Sequence, residues 1–297
     1  MKPAAFAYAR PDDLEHCLAI LRERGEDAVV LAGGQSLLPL LNMRLSRPTL
    51  VVDVNGLSGL DTIEVTAEGL RVGALTRAAR AEGDLRVARA APALAAALAY
   101  VGHPQTRTRT TVGGNVAHAD PASELPAVLA ALDGTVELAS ATSTRIVAWH
   151  EYFLGPYWTS RRPDELVIGV SFGAPAGFRW TFVELARRHG DFAIAGACVG
   201  LHIEGDEVVG ARVALCGVES VPVRRSGAEA ALCGPLPLHP RLADVEASVR
   251  EGLDPFGDVH APSGYRRAMA GLLVRRAAES VERDGRATAA TCQQGGS

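Results

Sequence analysis

A chain of 297 residues, 47% hydrophobic and 22% charged, is long enough for two domains with sizeable cores, and a formal net charge of -4 gives no footing for nucleic acid or an anionic membrane. Lys2 is the only lysine, which excludes a Schiff-base lysine and the lysine grip of a Walker-type phosphate loop. Cys17, Cys198, Cys216, Cys233 and Cys292 form no Cys-x-x-Cys pair, so no disulfide framework, structural zinc or iron–sulfur cluster is expected.

The opening MKPAAFAYARPDD lacks the apolar core of a signal peptide. No run reaches the ~18 apolar residues of a membrane span. The expectation is a soluble, cytoplasmic protein with reduced thiols.

In chain order, Leu14, Cys17, Leu18 and Leu21 recur at helical spacing. That predicts a helix over 11–25, capped by Asp12 or Asp13 and ended by Gly25. DAVVLAG reads as a short buried strand entering Gly33-Gly34, and Ser36 is placed to cap a helix from Leu37. TLVVDVNG reads as a second strand, which makes 1–55 a small α/β unit. From 56 the texture changes: TIEVTAEGLRVGAL alternates around a turn and predicts an antiparallel hairpin. An alanine-rich helix is predicted over 88–101, then a polar stretch into a second glycine pair, then short strands in ALDGTVELAS and TSTRIVAWHEYF.

Small residues and proline cluster at Gly173–Gly177 and suggest a domain boundary. Beyond it GACVGLHIEGDEVVGARVALCGV reads as a hairpin turning at Glu204-Gly205-Asp206. RRSGAEAALCG, HPRLADVEASVREG and GYRRAMAGLLVRRAAESVE read as helices. The tail over 286–297 is small and polar and is expected to be disordered.

Three stretches carry candidate chemistry. The first is Ala32-Gly33-Gly34-Gln35-Ser36-Leu37, where glycine permits positive φ and a close approach to bare backbone. Its spacing is neither G-x-G-x-x-G nor a Walker loop. On its own it is either a strand–helix turn or an anion cradle. The second is Thr110 to Pro126, in which Gly113-Gly114 follow Thr111 and precede Asn115, His118, Asp120 and Glu124. Two backbone cradles in one domain would grip the two phosphates of a dinucleotide without a lysine. Asp120 is otherwise a plain helix cap. His118, Asp120 and Glu124 lack a recognised metal-ligand spacing, and no G-x-S-x-G elbow supports a nucleophilic serine. The third is Arg187 to Ala195, where Gly190-Asp191 turns a charged run into a strand and leaves Phe192 as a core residue or a stacking ring.

At these three places together the sequence resembles the FAD-binding medium subunit of the molybdenum hydroxylases, the group of carbon monoxide dehydrogenase and xanthine dehydrogenase. AGGQSLLPLLNMRLSRPTLVVDVNGL, TVGGNVAHADPASELPAVLAAL and RRHGDFAIAGACV carry the resemblance, and GVESVPVRRSGAEAALCG continues it. It spans roughly residues 3–283. The resemblance implies an α+β fold: a two-part FAD-binding domain of the vanillyl-alcohol-oxidase (PCMH) type over 1–176, divided at 55, and a C-terminal domain of antiparallel sheet plus helices over 177–285. It implies that Ala32, Gly33, Gly34, Gln35, Ser36 and Leu37, with Thr111, Gly113, Gly114 and Asn115, hold the FAD diphosphate. Gly102 falls close to the flavin, Glu124 contacts the cofactor, Asp191 and Phe192 lie beside the isoalloxazine, and Arg224 stands near the ring. Two positions depart from the family pattern: Thr110 replaces a glycine, and Phe192 stands where relatives often carry tyrosine.

The implied role is an electron-transfer subunit, an oxidoreductase component with no catalytic residue of its own. Its FAD would take electrons from a small [2Fe–2S] subunit, fed by a large molybdenum-cofactor subunit, and pass them to an external acceptor. A dimer of heterotrimers is the implied assembly. The alternative is a stand-alone flavin oxidase of the same fold, with His103 available for a covalent flavin link.

Overall fold

The computed structural model describes residues 2–294, with side chains through Asp284. The N-terminal unit is a three-stranded parallel sheet in the order Ala7–Ala9, Leu50–Asp53, Ala28–Leu31. The helix Leu14–Arg24 covers it, burying Cys17, Leu18 and Leu21. Asp13 caps its start by accepting from the His16 N–H, and Gly25 ends it at φ 52°.

The middle unit is a five-stranded antiparallel sheet ordered Ile63–Val65, Gly69–Gly73, Leu166–Gly173, Thr135–Ala139, Thr144–Ala148. The expected hairpin over 63–73 is present. The single helix expected over 88–101 is instead two, Leu85–Ala90 and Pro92–Leu98. Pro92 has no N–H to continue the first helix and disfavours helical backbone at Ala91. In the helix Glu124–Ala131 every residue is buried, because it lies between the middle unit and the C-terminal sheet. Leu94, Leu98, Leu125 and Leu129 are fully buried there, each worth roughly 1.5–3 kcal/mol of apolar transfer.

The C-terminal sheet pairs Phe178–Leu185 with Ala195–Glu204, and that strand with Glu207–Cys216. The hairpin between the last two turns at Gly205, φ 56°. The strand Phe178–Leu185 has no counterpart among the elements expected from sequence, and it matters. Its pairing makes residues 186–194 the connection of a hairpin, with Leu185 opposite Ala195. Helices Ser226–Leu232, Leu242–Arg250 and Ser263–Gln294 cover the outer face. The tail expected to be disordered over 286–297 lies outside the residues with described side chains, although helical backbone continues to Gln294. Among the described residues no helix is long and apolar enough to cross a membrane.

Candidate functional site

A cavity of about 510 Å³ opens where the N-terminal sheet, the middle unit and the hairpin connection meet. Ala32, Gly33, Gly34, Gln35, Ser36 and Leu37 line one side, and Thr111, Gly113, Gly114, Asn115 and Glu124 another. Gly102, Asp191 and Phe192 border it as well.

The first loop leaves strand Ala28–Leu31 and turns at Gly34, φ 74°, a left-handed conformation that favours glycine. Among the described residues the N–H groups of Gly33, Gly34, Gln35, Ser36 and Leu37 donate to no protein acceptor. Ser36 occupies the cap position of helix Leu37–Asn42 but makes no side-chain cap bond, which corrects the expected capping role. A run of unpaired N–H groups at a cavity wall is a ready anion cradle, because such donors are otherwise costly to leave without a partner.

The second glycine pair is built differently. Thr111 caps the helix Val112–His118, and its Oγ1 accepts from the Gly114 N–H at 3.1 Å. The Gly113 N–H donates to the Ala74 carbonyl at 2.9 Å and the Asn115 N–H to the Thr111 carbonyl at 3.0 Å. These donors are already engaged, so the pair does not form the second free N–H cradle expected from the sequence. Glycine is needed there for closeness: a Cβ on Gly113 would lie 2.5 Å from the Ala74 Cβ. Thr110 has ordinary backbone geometry, absent from the positive-φ residues, so this position tolerates a side chain in place of the family's glycine.

The two loops touch. A Cβ on Gly33 would lie 2.5 Å from the Arg109 carbonyl oxygen. Arg77 joins them from behind, its Nη1 donating to that same carbonyl at 2.5 Å and its Nη2 to Asn55 Oδ1 at 2.6 Å. Asn55 Nδ2 in turn donates to the Ala32 carbonyl at 2.9 Å. One arginine and one amide thereby set the spacing of both glycine loops.

At the mouth, Gly190 (φ 89°) seats the hairpin connection directly on Gly102 and the His103 ring. Phe192 is 71% exposed at the cavity mouth, so it is not a core residue. His103 is exposed and does not line the cavity. Arg107 fixes Gly102 from below, donating to its carbonyl at 2.8 Å while paired with Glu82.

Arg224, expected near the ring, is not among the residues that line the cavity. Its guanidinium is held by Glu229 and Asp133, both at 2.7 Å. The basic side chain at the wall is Arg161, whose Nη1 donates to the carbonyls of Glu165 and Arg162. Nothing in its SRRPDE context marked it, because its place depends on the strand Leu166–Gly173 entering the middle of the sheet. Glu165 also lines the cavity; burial opposes its ionised form, but Arg145 outweighs that and holds its carboxyl below the usual range.

Asp120 does not cap the helix Glu124–Ala131. It accepts from the Ala122 N–H at 2.9 Å and from the Tyr157 hydroxyl at 3.3 Å. Ser123 ties the second loop to that helix by donating to Asn115 Oδ1 at 2.7 Å. His118, Asp120 and Glu124 share the cavity without forming a metal-holding group among the described residues. Burial lowers the pKa of His118. Burial raises the pKa of both Glu124 and Glu184, and each carboxyl works against the ionised form of its neighbours.

Comparison with known proteins covers both halves of the chain. Residues 4–175 match the family described as FAD binding domain in molybdopterin dehydrogenase, and residues 180–281 the CO dehydrogenase flavoprotein C-terminal domain. The chain is 40% identical to 6-hydroxypseudooxynicotine dehydrogenase complex subunit alpha of Paenarthrobacter nicotinovorans, over 93% of this chain and 94% of the relative. It is 33% identical to the carbon monoxide dehydrogenase medium chain of Afipia carboxidovorans, over 95% of this chain and 98% of the relative. A solved structure of quinoline 2-oxidoreductase from Pseudomonas putida 86 superposes with a TM-score of 0.92 at 36% identity, covering 96% of this chain and 99% of that one. A cavity walled by two interlocked glycine loops, in a chain that follows these relatives end to end, is that of an FAD-binding protein, and the chain belongs to the medium, flavin-carrying subunits of the molybdenum hydroxylases.

Proposed function

We propose that this chain is the electron-transfer flavoprotein of a three-component hydroxylase, working beside a large molybdenum-cofactor subunit and a small [2Fe–2S] subunit in a dimer of heterotrimers. Its electrons arrive from the iron–sulfur subunit and leave to an external acceptor. Support for the multi-chain setting comes from the relatives, which are named as a complex subunit and a medium chain and which the chain matches over nearly its whole length.

The residues present fit FAD. The free N–H groups from Gly33 to Leu37 offer donors for an anionic diphosphate, and the bare α-carbon of Gly33 lets the two loops close on each other beside it. Bound FAD supplies redox chemistry in one- and two-electron steps. The chain's own residues do the rest. The Gly33–Leu37 backbone binds, the Arg77–Asn55 bridge spaces the loops, and Phe192 supplies an exposed aromatic face at the mouth. The domains implied over 1–176 and 177–285 then divide the work, with the first holding the cofactor and the second carrying the hairpin of Asp191 and Phe192.

The observation that carries this reading is the joining of both glycine loops and the Asp191–Phe192 turn around one cavity. The test is to purify the chain from its native host under mild conditions, identify co-purifying chains by mass spectrometry, and follow the flavin spectrum of the complex on adding substrate. Co-purification with a molybdenum-cofactor chain and an iron–sulfur chain, with bleaching that requires both, is the expected result. A yellow chain that purifies alone and is bleached directly by a substrate would establish the stand-alone oxidase instead. That reading has less support here, since His103 lies outside the cavity lining.

A further inference from the structure

Asp120 is a shielded carboxylate on the cavity wall that the phosphate cradle does not use. It lines the cavity and is 9% exposed. Glu165, on the same wall, is neutralised by Arg145, and the shielded Glu137 by Arg71. Asp120 has no such ion pair among the described residues. Its Oδ1 accepts from the Ala122 N–H at 2.9 Å and its Oδ2 from the Tyr157 hydroxyl at 3.3 Å. An ionised carboxylate has about four acceptor sites, so these two donors leave capacity at the wall. Acceptors withdrawn from water are costly to leave without a donor.

The hold on Asp120 comes from far along the chain. Tyr157 sits in the turn between the short paired strands Phe153–Gly155 and Trp158–Thr159. Its N–H donates to the Ala119 carbonyl at 2.9 Å, its ring lies against His118 with centroids 5.1 Å apart, and its hydroxyl meets Asp120. Backbone, ring and hydroxyl of one residue thus fix three consecutive residues of the wall. Core packing does not account for this, because Tyr157 is 61% exposed. Tyr157 at φ 57° and Ala119 at φ 51° are both left-handed without being glycine. Residues kept in such backbone at a ligand wall are held there by their surroundings, and the hold aims a functional group.

The group that Asp120 would meet follows from its charge. A carboxylate repels phosphate, so beside the free N–H run of Gly33–Leu37 it addresses a donor and not the diphosphate itself. In FAD the donors flanking the diphosphate are sugar hydroxyls, on the ribityl chain to one side and the adenosine ribose to the other. We propose that Asp120 is a cofactor-binding residue that accepts a sugar hydroxyl of FAD, and that Tyr157 is the positioning residue that aims it. This rests on FAD as the ligand of the cavity.

The test uses the full-length chain stripped of flavin and titrated with FAD by quenching of flavin fluorescence. Asp120→Asn keeps the shape and an acceptor for the Ala122 N–H but turns the second oxygen into a donor; FAD should bind about tenfold more weakly or worse. Simple charge repulsion predicts the opposite, so unchanged or tighter binding overturns the proposal. Tyr157→Phe keeps the ring on His118 and should weaken FAD about twofold to tenfold. In the Asp120→Asn background the same change should cost less than about twofold, because Tyr157 acts through Asp120. Losses that multiply in the double variant would overturn the positioning role. A further measurement needs no variant to fold: the wild-type chain is titrated with FAD analogues that each lack one hydroxyl, of the ribityl chain or of the adenosine ribose. One analogue should bind about tenfold more weakly than FAD, which names the sugar, and Asp120→Asn should erase that difference. If every analogue binds the wild type as FAD does, the proposal falls. If the wild-type chain binds no FAD at all, the flavin assignment itself falls and takes this inference with it.

Discussion

Gly33-Gly34 and Gly113-Gly114 are near twins in the sequence, and the folded protein uses them for different ends. The first pair leaves its N–H groups and those of the next residues open to the cavity. The second pair has its N–H groups engaged by Ala74 and Thr111, inside a capped helix. The difference lies in the neighbours of each pair. Thr111 brings a capping hydroxyl before the second pair and starts a helix at once, whereas Ser36 makes no such bond. A glycine pair is therefore a permission for close approach, and its neighbours decide whether its N–H groups stay free, as in the first case, or are taken by the protein, as in the second.

Placing one β-carbon on each pair breaks this comparison most severely. Gly33→Val drives a side chain into the Arg109 carbonyl, which lies 2.5 Å from the first added atom. Overpacking of this kind costs about 1–3 kcal/mol, and here it should appear as a loss of FAD affinity of about tenfold to a hundredfold, read by quenching of flavin fluorescence. Gly113→Ala meets Ala74 at the same 2.5 Å, but in the core. Its cost of about 1–3 kcal/mol should appear in urea unfolding of the FAD-free chain. If the two variants fail in the same way, the two pairs are not functionally distinct.

Removing the bridge behind both loops should have a smaller effect. Arg77→Ala deletes the hydrogen bonds to Asn55 and to the Arg109 carbonyl, and it should weaken FAD by about 1–3 kcal/mol, the range for bonds from a charged group. Arg77→Lys should not restore affinity, because an ammonium cannot reproduce the two-pronged geometry. A lysine variant with wild-type affinity would show that charge alone spaces the loops. Gly34→Ala sharpens the first cradle further: at φ 74° a β-carbon costs about 1–2 kcal/mol, again read as FAD affinity.

The smallest effect is one of pH on the FAD-free chain. Burial, with neighbouring negative charge, raises both Glu124 and Glu184 above the ordinary carboxylate value of 4.5. The folded state thus holds the proton more tightly than the unfolded chain. The contribution is fully present below about pH 4.5 and is lost as pH rises through the folded values. The melting temperature should decline from mildly acidic to alkaline pH, and Glu184→Gln should decline less. An unchanged slope in the variant would assign the titration to another group.

Much of the cavity was legible in the sequence alone. The order of the glycine loops, the glycine at 102 and the Gly190-Asp191-Phe192 turn are local signals, because backbone permissiveness is written into residue type. Arg224 shows the limit: the family resemblance suggested a place near the ring, and the structure pairs it with Asp133 and Glu229 outside the cavity lining. Arg161 shows the converse, a cavity residue in a stretch without a motif. The helix break at Ala91 was readable from Pro92 and was obscured by the alanine run around it.

By itself the sequence determined the family, the cofactor class and the residues of the first cradle, since these rest on short runs whose chemistry needs no distant partner. Only the tertiary structure decided which glycine pair stays open and which arginine reaches the wall. Those outcomes depend on hydrogen bonds and burial between segments far apart in the chain, and no local pattern encodes such meetings. LAGGQSLLPLL and TVGGN look alike as letters; the first keeps its N–H groups open to the cavity, and the second does not, because Thr111 and Ala74 reach its N–H groups first.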